Sequence, residues 1–194
     1  MLRKILLLLL LLWSPALAAP SKEDIDPLLG LLQWRLELAK EVARSKWNSH
    51  APIEDLPREK AILQALVEQA QSYGLDPKFV ETFFQAQIHA SKTEQRRWQE
   101  RWKSENAPPF AETDLNVIRR RLDKLTPLTL QALRDSRPLP RDLLEERIRV
   151  IFGDSLSEAE REALAPLRNS ASTPTLRNNA GDSVPGKVRE LSPR

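Results

Sequence analysis

The first segment with helical periodicity carries two cationic residues at the edge of its apolar stripe. Arg35 and Lys46 are 11 positions apart, so on a helix their side chains leave the axis within roughly 20° of each other. Both lie at the margin of the apolar stripe and not opposite it. Such a pair needs either anionic partners or a path by which the long side chains reach water, and the spacing alone allows both.

Uncharged polar groups interrupt the aromatic stripe of the third such segment. Gln87, Ser91 and Gln95 follow one another at four-residue intervals between Phe84 and Trp98. A hydrogen-bonding group within an apolar stripe costs free energy when it is unpaired, so each of these must find a partner. A buried network between helices and a bound ligand would satisfy them equally well.

Two more segments carry charge beside their apolar lines. Arg58 and Glu59 open the second segment, and Arg119 and Arg121 flank the stripe of the fourth. Four helices therefore each offer cationic or amide groups to one interior. This predicts a pocket for a small polyanion, most simply a carboxylate, because arginine binds carboxylates through two parallel hydrogen bonds.

The elements that position these groups are predicted from apolar spacing and capping residues. The fold class is all-α: a single domain of about six helices, with the active site inside the bundle. The predicted helices run from Ser21 to Trp47, from Pro57 to Gly74, from Pro77 to Pro108, from Leu115 to Leu125, from Thr126-Pro127 onward as a short helix, from Pro140 to Gly153, and from Ser157 to Leu167.

The composition excludes several classes of chemistry. The 194 residues include no cysteine, only two histidines and five scattered glycines. Disulfides, thiolate metal sites and cysteine nucleophiles are therefore excluded, and no phosphate-binding glycine loop can be formed. The sequence contains no recognisable nucleophile–base pair and no metal-binding motif, so we expect neither cofactor nor metal.

The N-terminus has the pattern of a signal peptide. Arg3 and Lys4 precede nine apolar residues, Ile5 to Trp13, and the triplet that ends at Ala18. Nine residues are too few for a membrane anchor, which needs about 20. We therefore predict export to the periplasm or medium, cleavage after Ala18 and no stable membrane anchor afterwards.

The mature chain is nearly neutral. Loss of Arg3 and Lys4, with no acidic residue, leaves 28 basic against 27 acidic side chains, which gives no reason to expect nucleic acid as a partner. Residues 168–194 contain no aromatic residue and few bulky aliphatic ones, so we predict a disordered tail. The chain thus divides into a signal peptide (1–18), a helical domain (19–167) and a tail (168–194).

The polar residues also carry a family resemblance. Arg35, Lys46, Arg58 and Ser91 follow at separations of 11, 12 and 33 residues, with Gln95 four positions after Ser91. This pattern, over about residues 24–165, resembles the all-helical chorismate mutase family. The signal peptide and the helices after residue 105 make it similar to the exported, monofunctional subclass, and the resemblance suggests a homodimer with a complete site in each chain.

The resemblance implies a cofactor-free rearrangement of chorismate, a dicarboxylate enol ether, to prephenate. It implies a catalytic group of Lys46, Gln95, Arg58 and Glu59. Lys46 and Gln95 would hold the ether oxygen from two sides, Arg58 a carboxylate and Glu59 the ring hydroxyl. A glutamate can occupy the position of Gln95 in the exported subclass, which would shift the pH optimum downward.

The resemblance further implies four substrate-binding residues. Arg35 and Ser91 would bind carboxylates and Asp55 the ring hydroxyl, while one more arginine would come from a later helix of the same chain. Arg119 fits that position best, and Arg121 is the second candidate. The alternative function is a non-catalytic exported helical protein, either a carboxylate-binding module or a chaperone, which would need the arginines but no pair of donors at an ether oxygen.

Overall fold

The structure is a computed structural model that describes residues 21–111 and 114–171. It contains, within these ranges, six α-helices, a 3₁₀ turn at Gln71–Tyr73 and no strand, which confirms the predicted all-α fold. The predicted signal peptide and all but the first residues of the predicted tail lie outside the described residues. The helices are α1 (Lys22–Ser49), α2 (Leu56–Ala70), α3 (Pro77–Ser104), α4 (Leu115–Asp135), α5 (Arg141–Phe152) and α6 (Glu158–Ser170).

The helix ends follow from local side-chain chemistry. Asp76 begins α3 by accepting a hydrogen bond from the Lys78 backbone N–H at 3.1 Å. Gly74 ends the 3₁₀ turn with φ +68°, a conformation that glycine adopts without steric cost. Ser157 and Glu160 form the predicted capping box of α6, each side chain accepting from the backbone N–H of the other.

The chain does not start a new helix at Thr126-Pro127, so that prediction was wrong. Helix α4 continues through Pro127. Leu125 before the proline and Leu130 after it are both buried against the rest of the bundle, and this packing outweighs the backbone hydrogen bond that proline removes. The Thr126 hydroxyl donates to the Leu122 carbonyl at 3.0 Å one turn earlier.

The apolar core lies around the first halves of α1 and α3. Burying each large apolar side chain contributes about 1.5–3 kcal/mol. In the second halves of these helices, the buried polar residues Lys46 and Gln95 lie among buried apolar ones such as Trp102. Leu38 and Val42 of α1 form a smaller cluster with Ile118 and Leu125, which fixes the first half of α4. The main core includes Ile25, Leu28, Leu29, Leu32, Phe83, Phe84, Leu130, Leu133, Leu144, Ile148, Leu164 and Leu167.

Helix α6 continues past the predicted domain boundary at Leu167. It ends at Ser170, and Ala171 is buried. Arg168 donates two hydrogen bonds to the Glu145 carboxylate of α5, at 2.8 and 2.9 Å. The described structure therefore continues as helix for three residues beyond that boundary, and an ion pair joins this turn of α6 to α5. No described helix combines the length and the apolar character needed to span a membrane.

Candidate active site

One cavity, with a volume of about 140 Å³, gathers all eight predicted site residues between α1, α2, α3 and α4. The structure also separates the two candidate arginines of α4. Arg119 lines the cavity, whereas Arg121 is half exposed and pairs with Glu41 at 3.1 Å. The eight predicted residues at the cavity are Arg35, Lys46, Asp55, Arg58, Glu59, Ser91, Gln95 and Arg119.

The Arg35 guanidinium has unused hydrogen-bonding capacity. Its Nε and Nη1 atoms are buried and have no hydrogen-bond partner within residues 21–111 and 114–171, and the group lies 5.6 Å from the Phe84 ring centroid. Burial lowers the pKa of Arg35 to about 10, against the opposing charge of Asp123. Buried donors without partners are rare in folded proteins, so this arginine indicates a binding position for an anion.

Lys46 lies almost fully buried, with 6% of its surface exposed. Its Nζ donates to the Ile53 carbonyl at 2.5 Å, which holds the segment before α2 against the end of α1. Burial lowers the pKa of Lys46, and the nearby Asp55 carboxylate opposes this shift. An ammonium has three donors, so the bond to Ile53 leaves two for solvent or a ligand.

The N-terminus of α2 arranges the two predicted hydroxyl-binding carboxylates. Asp55 caps the helix by accepting from the Arg58 backbone N–H at 3.4 Å, and its other oxygen accepts from Arg119 at 2.6 Å. Glu59 accepts from the Asp55 backbone N–H at 3.2 Å. Capping thus fixes both carboxylates at one end of the cavity.

Helix α3 carries two buried amides, of which one bonds to another helix and the other bonds only within α3 among the described residues. Gln87 donates to the Ala163 carbonyl of α6 at 2.8 Å, which is the buried network between helices that the sequence left open. Gln95 is 4% exposed, and its Nε2 donates to the Ser91 hydroxyl at 3.2 Å. The Oε1 of Gln95 is buried and has no hydrogen-bond partner in the part of the chain that the structure describes, so the described network between helices does not satisfy this side chain.

Sequence reasoning missed two charged residues of the cavity. Lys92 donates to Glu59 at 2.9 Å, and Asp123 accepts from the Arg58 guanidinium at 3.2 Å. Asp123 lies four positions after Arg119, a spacing that places both on one side of α4 and could have indicated it. Lys92 follows Ser91 directly and carried no comparable signal.

The charges of the cavity suit a dianion. Five cations and three carboxylates line it, which gives a formal net charge of +2. The excess of two positive charges equals the charge of one dicarboxylate. These groups are Arg35, Lys46, Arg58, Lys92 and Arg119 against Asp55, Glu59 and Asp123.

The family model and the relatives that match this chain all carry the name chorismate mutase. The family model for chorismate mutase type II matches residues 25–96. The chain is 36% identical to a monofunctional chorismate mutase of Enterobacter agglomerans, over 58% of this chain and 62% of the relative. It is 31% identical to a secreted chorismate mutase of Yersinia pestis, over 53% and 55% of the two chains. The alignments thus span less than two thirds of these relatives.

The structural comparison covers more of the molecule. The crystal structure of a chorismate mutase from Burkholderia thailandensis matches with a TM-score of 0.65 and 31% sequence identity, over 76% of this chain and 98% of that one. This match covers a larger share of the chain than the segment 25–96 that the family model matches. The chain therefore belongs to the chorismate mutase family.

Proposed function

We propose that this protein is a chorismate mutase in activity as well as in family, an isomerase that converts chorismate to prephenate without a cofactor. The observation that carries the proposal is the Arg35 guanidinium, whose buried Nε and Nη1 have no partner among the described residues, in a cavity of formal net charge +2. Chorismate is a dicarboxylate, so it matches both the charge and the unused donors.

Three arginines would bind the two carboxylates. Arg35 has free donors, whereas Arg58 and Arg119 are paired with Asp123 and Asp55. The Arg58–Asp123 pair is partly exposed to solvent, and such pairs are worth only about 0–1 kcal/mol. A substrate carboxylate can therefore replace Asp123 at Arg58 at little cost, and bidentate contacts then fix the substrate's orientation.

The chemical step needs donors and no nucleophile. The rearrangement breaks the ether C–O bond and forms a C–C bond within one molecule, so no proton or electron leaves the substrate. Negative charge grows on the ether oxygen as the bond breaks, and the buried Lys46 ammonium would stabilise it more strongly in the transition state than in the ground state.

Gln95 would supply the second donor after its amide turns. In the structure its Nε2 bonds Ser91 and its Oε1 is free. The Ser91 hydroxyl can donate as well as accept. Rotating the amide by half a turn keeps the bond to Ser91 and presents the NH₂ group to the ether oxygen.

The direct test is the disappearance of chorismate absorbance when the purified protein is added, with prephenate identified as the product. Catalysis well above the uncatalysed rate is the expected result. Stoichiometric binding of chorismate without turnover would contradict the proposal and favour a carboxylate-binding module.

Replacing Arg119 with alanine should lower kcat/KM by about 10- to 100-fold, because a hydrogen bond to a charged group is worth about 1.5–3 kcal/mol. Arg121→Ala is the matched control, since Arg121 is two residues away and pairs on the surface with Glu41; it should stay within threefold of the wild type. A large loss in Arg121→Ala and none in Arg119→Ala would reverse the assignment.

The wild-type activity should be level from mildly acidic to mildly basic pH and fall at alkaline pH. Burial lowers the pKa of Lys46, and the charged ammonium is the active form. Loss of this charge therefore begins at a lower pH than for an ordinary lysine. Burial also lowers the pKa of Arg35, to about 10, so its charge is lost at alkaline pH as well. A pH profile of kcat/KM tests this, with circular dichroism as the folding control. A profile that stays level while the protein remains folded would contradict it.

Export is proposed together with the activity. The signal-peptide pattern of residues 1–18 supports it, and so do relatives from three organisms that are named secreted chorismate mutases. We expect a mature N-terminus at Ala19 in the periplasm or medium, which N-terminal sequencing can check. A retained Met1 in the mature pool would exclude cleavage.

A homodimer is proposed on the resemblance alone. Sedimentation velocity of the purified protein at several concentrations tests it. A single species of about 20 kDa, near the 22.2 kDa of the whole chain less the signal peptide, would contradict it.

A further inference from the structure

We propose that Lys92 is a positioning residue that holds the Glu59 carboxylate in place for the hydroxyl end of the substrate. The inference rests on the proposed function and adds a residue to it. Lys92 lines the same cavity and its Nζ donates to Glu59 at 2.9 Å. The two residues come from different helices, α3 and α2, so the pair also joins the two walls of the cavity.

Glu59 is held through both of its oxygens. Oε1 accepts from the Asp55 backbone N–H at 3.2 Å, and Oε2 accepts from Lys92 at 2.9 Å. A carboxylate with two fixed donors has little rotational freedom, so its remaining lone pairs keep constant directions. A group in this state can accept a hydrogen bond from a substrate hydroxyl without first being ordered.

The Lys92–Glu59 pair is the best shielded of the cavity's ion pairs. Its side chains are 14% and 19% exposed, against 28% and 36% for Arg119–Asp55 and 35% and 60% for Arg58–Asp123. Shielded pairs are screened less by salt and solvent. Removal of Lys92 would leave Glu59 as an uncompensated anion beside a dianionic substrate, which opposes binding.

The inference is tested by a double-mutant cycle of Lys92→Met and Glu59→Gln with kcat and KM measured separately. Lys92→Met should lower kcat/KM by about 10- to 100-fold, the range for loss of a hydrogen bond to a charged group, with a rise in KM. In the Glu59→Gln background, Lys92→Met should lower kcat/KM by less than threefold. Lys92→Arg, which keeps the cation, should recover most of the activity.

Arg96→Met is the matched control. Arg96 lies one turn further along α3 and pairs with Glu54 just before α2, but this pair is exposed and outside the cavity. The variant should remain within threefold of the wild type. If Lys92→Met does not fold, as judged by circular dichroism, Lys92→Gln replaces it in the cycle.

Two outcomes would overturn the inference while leaving the proposed function intact. The first is equal losses from Lys92→Met with and without Glu59, which would show that Lys92 acts independently of that carboxylate. The second is activity within threefold of the wild type in Lys92→Met. An inactive wild type would instead overturn the proposed function itself, and the inference with it.

Discussion

Replacing Lys46 with alanine should lower kcat by about 10²- to 10³-fold while the helix content stays unchanged. Removal of one preorganised donor at a developing negative charge costs about 2.7–4 kcal/mol of transition-state stabilisation. Lys46 has the features of such a donor, since it is buried and, among the described residues, its ammonium bonds only the Ile53 carbonyl. Steady-state kinetics with chorismate measure the effect.

Lys40→Ala is the control for this prediction. Lys40 is on the same helix, with its Nζ 3.6 Å from the Trp98 ring centroid and outside the cavity. The variant loses a cation–π contact worth about 0.5–1 kcal/mol and should keep its activity within threefold. If Lys46→Ala retains wild-type kcat with an unchanged melting temperature, Lys46 does not contact the breaking bond.

Exchanging Gln95 for glutamate should make the enzyme active only at acidic pH. An ionised carboxylate at this position would repel the charge that grows on the ether oxygen, whereas the protonated acid can donate to it. The activity of Gln95→Glu should therefore rise as pH falls through the pKa of the introduced carboxyl. At mildly basic pH the loss should reach about 10²-fold or more, as for removal of an oxyanion donor.

The comparison for this prediction includes two further variants. Gln85→Glu makes the same change on an exposed face of α3 and should keep the wild-type profile. Arg35→Lys should weaken activity at mildly acidic and mildly basic pH alike, because it loses bidentate geometry without adding a titration in that range. A Gln95→Glu profile parallel to that of the wild type would show that this side chain does not face the reacting atoms.

The helices were largely predictable because their signals are local. Apolar spacing and the caps at Asp76 and Ser157 place helix starts within a few residues. Pro127 was misread because its effect on a helix is local, whereas the packing of Leu125 and Leu130 that overrides it is tertiary. The last turn of α6 was not predictable for a similar reason, since Glu145, the partner of Arg168, lies 23 residues away.

The candidate site was predictable to a different extent for different residues. The order and spacing of Arg35, Lys46 and Gln95 carry a family pattern, and their placement around one cavity agrees with it. Lys92 could not be identified, because its partner Glu59 is 33 residues away on another helix. The different partners of Gln87 and Gln95 were not predictable either. The sequence places both side chains in the apolar stripe of α3, and only the fold shows that Gln87 bonds to α6.

The eight predicted site residues that line the cavity all belong to one polypeptide, and this has a consequence for how activity depends on protein concentration. An active site shared between chains disassembles when the chains separate, so its activity per molecule falls with dilution according to mass action. A site built within one chain has no such dissociation constant. Under the proposed function, we therefore expect the activity per molecule of this protein to stay constant on dilution for as long as the chain remains folded.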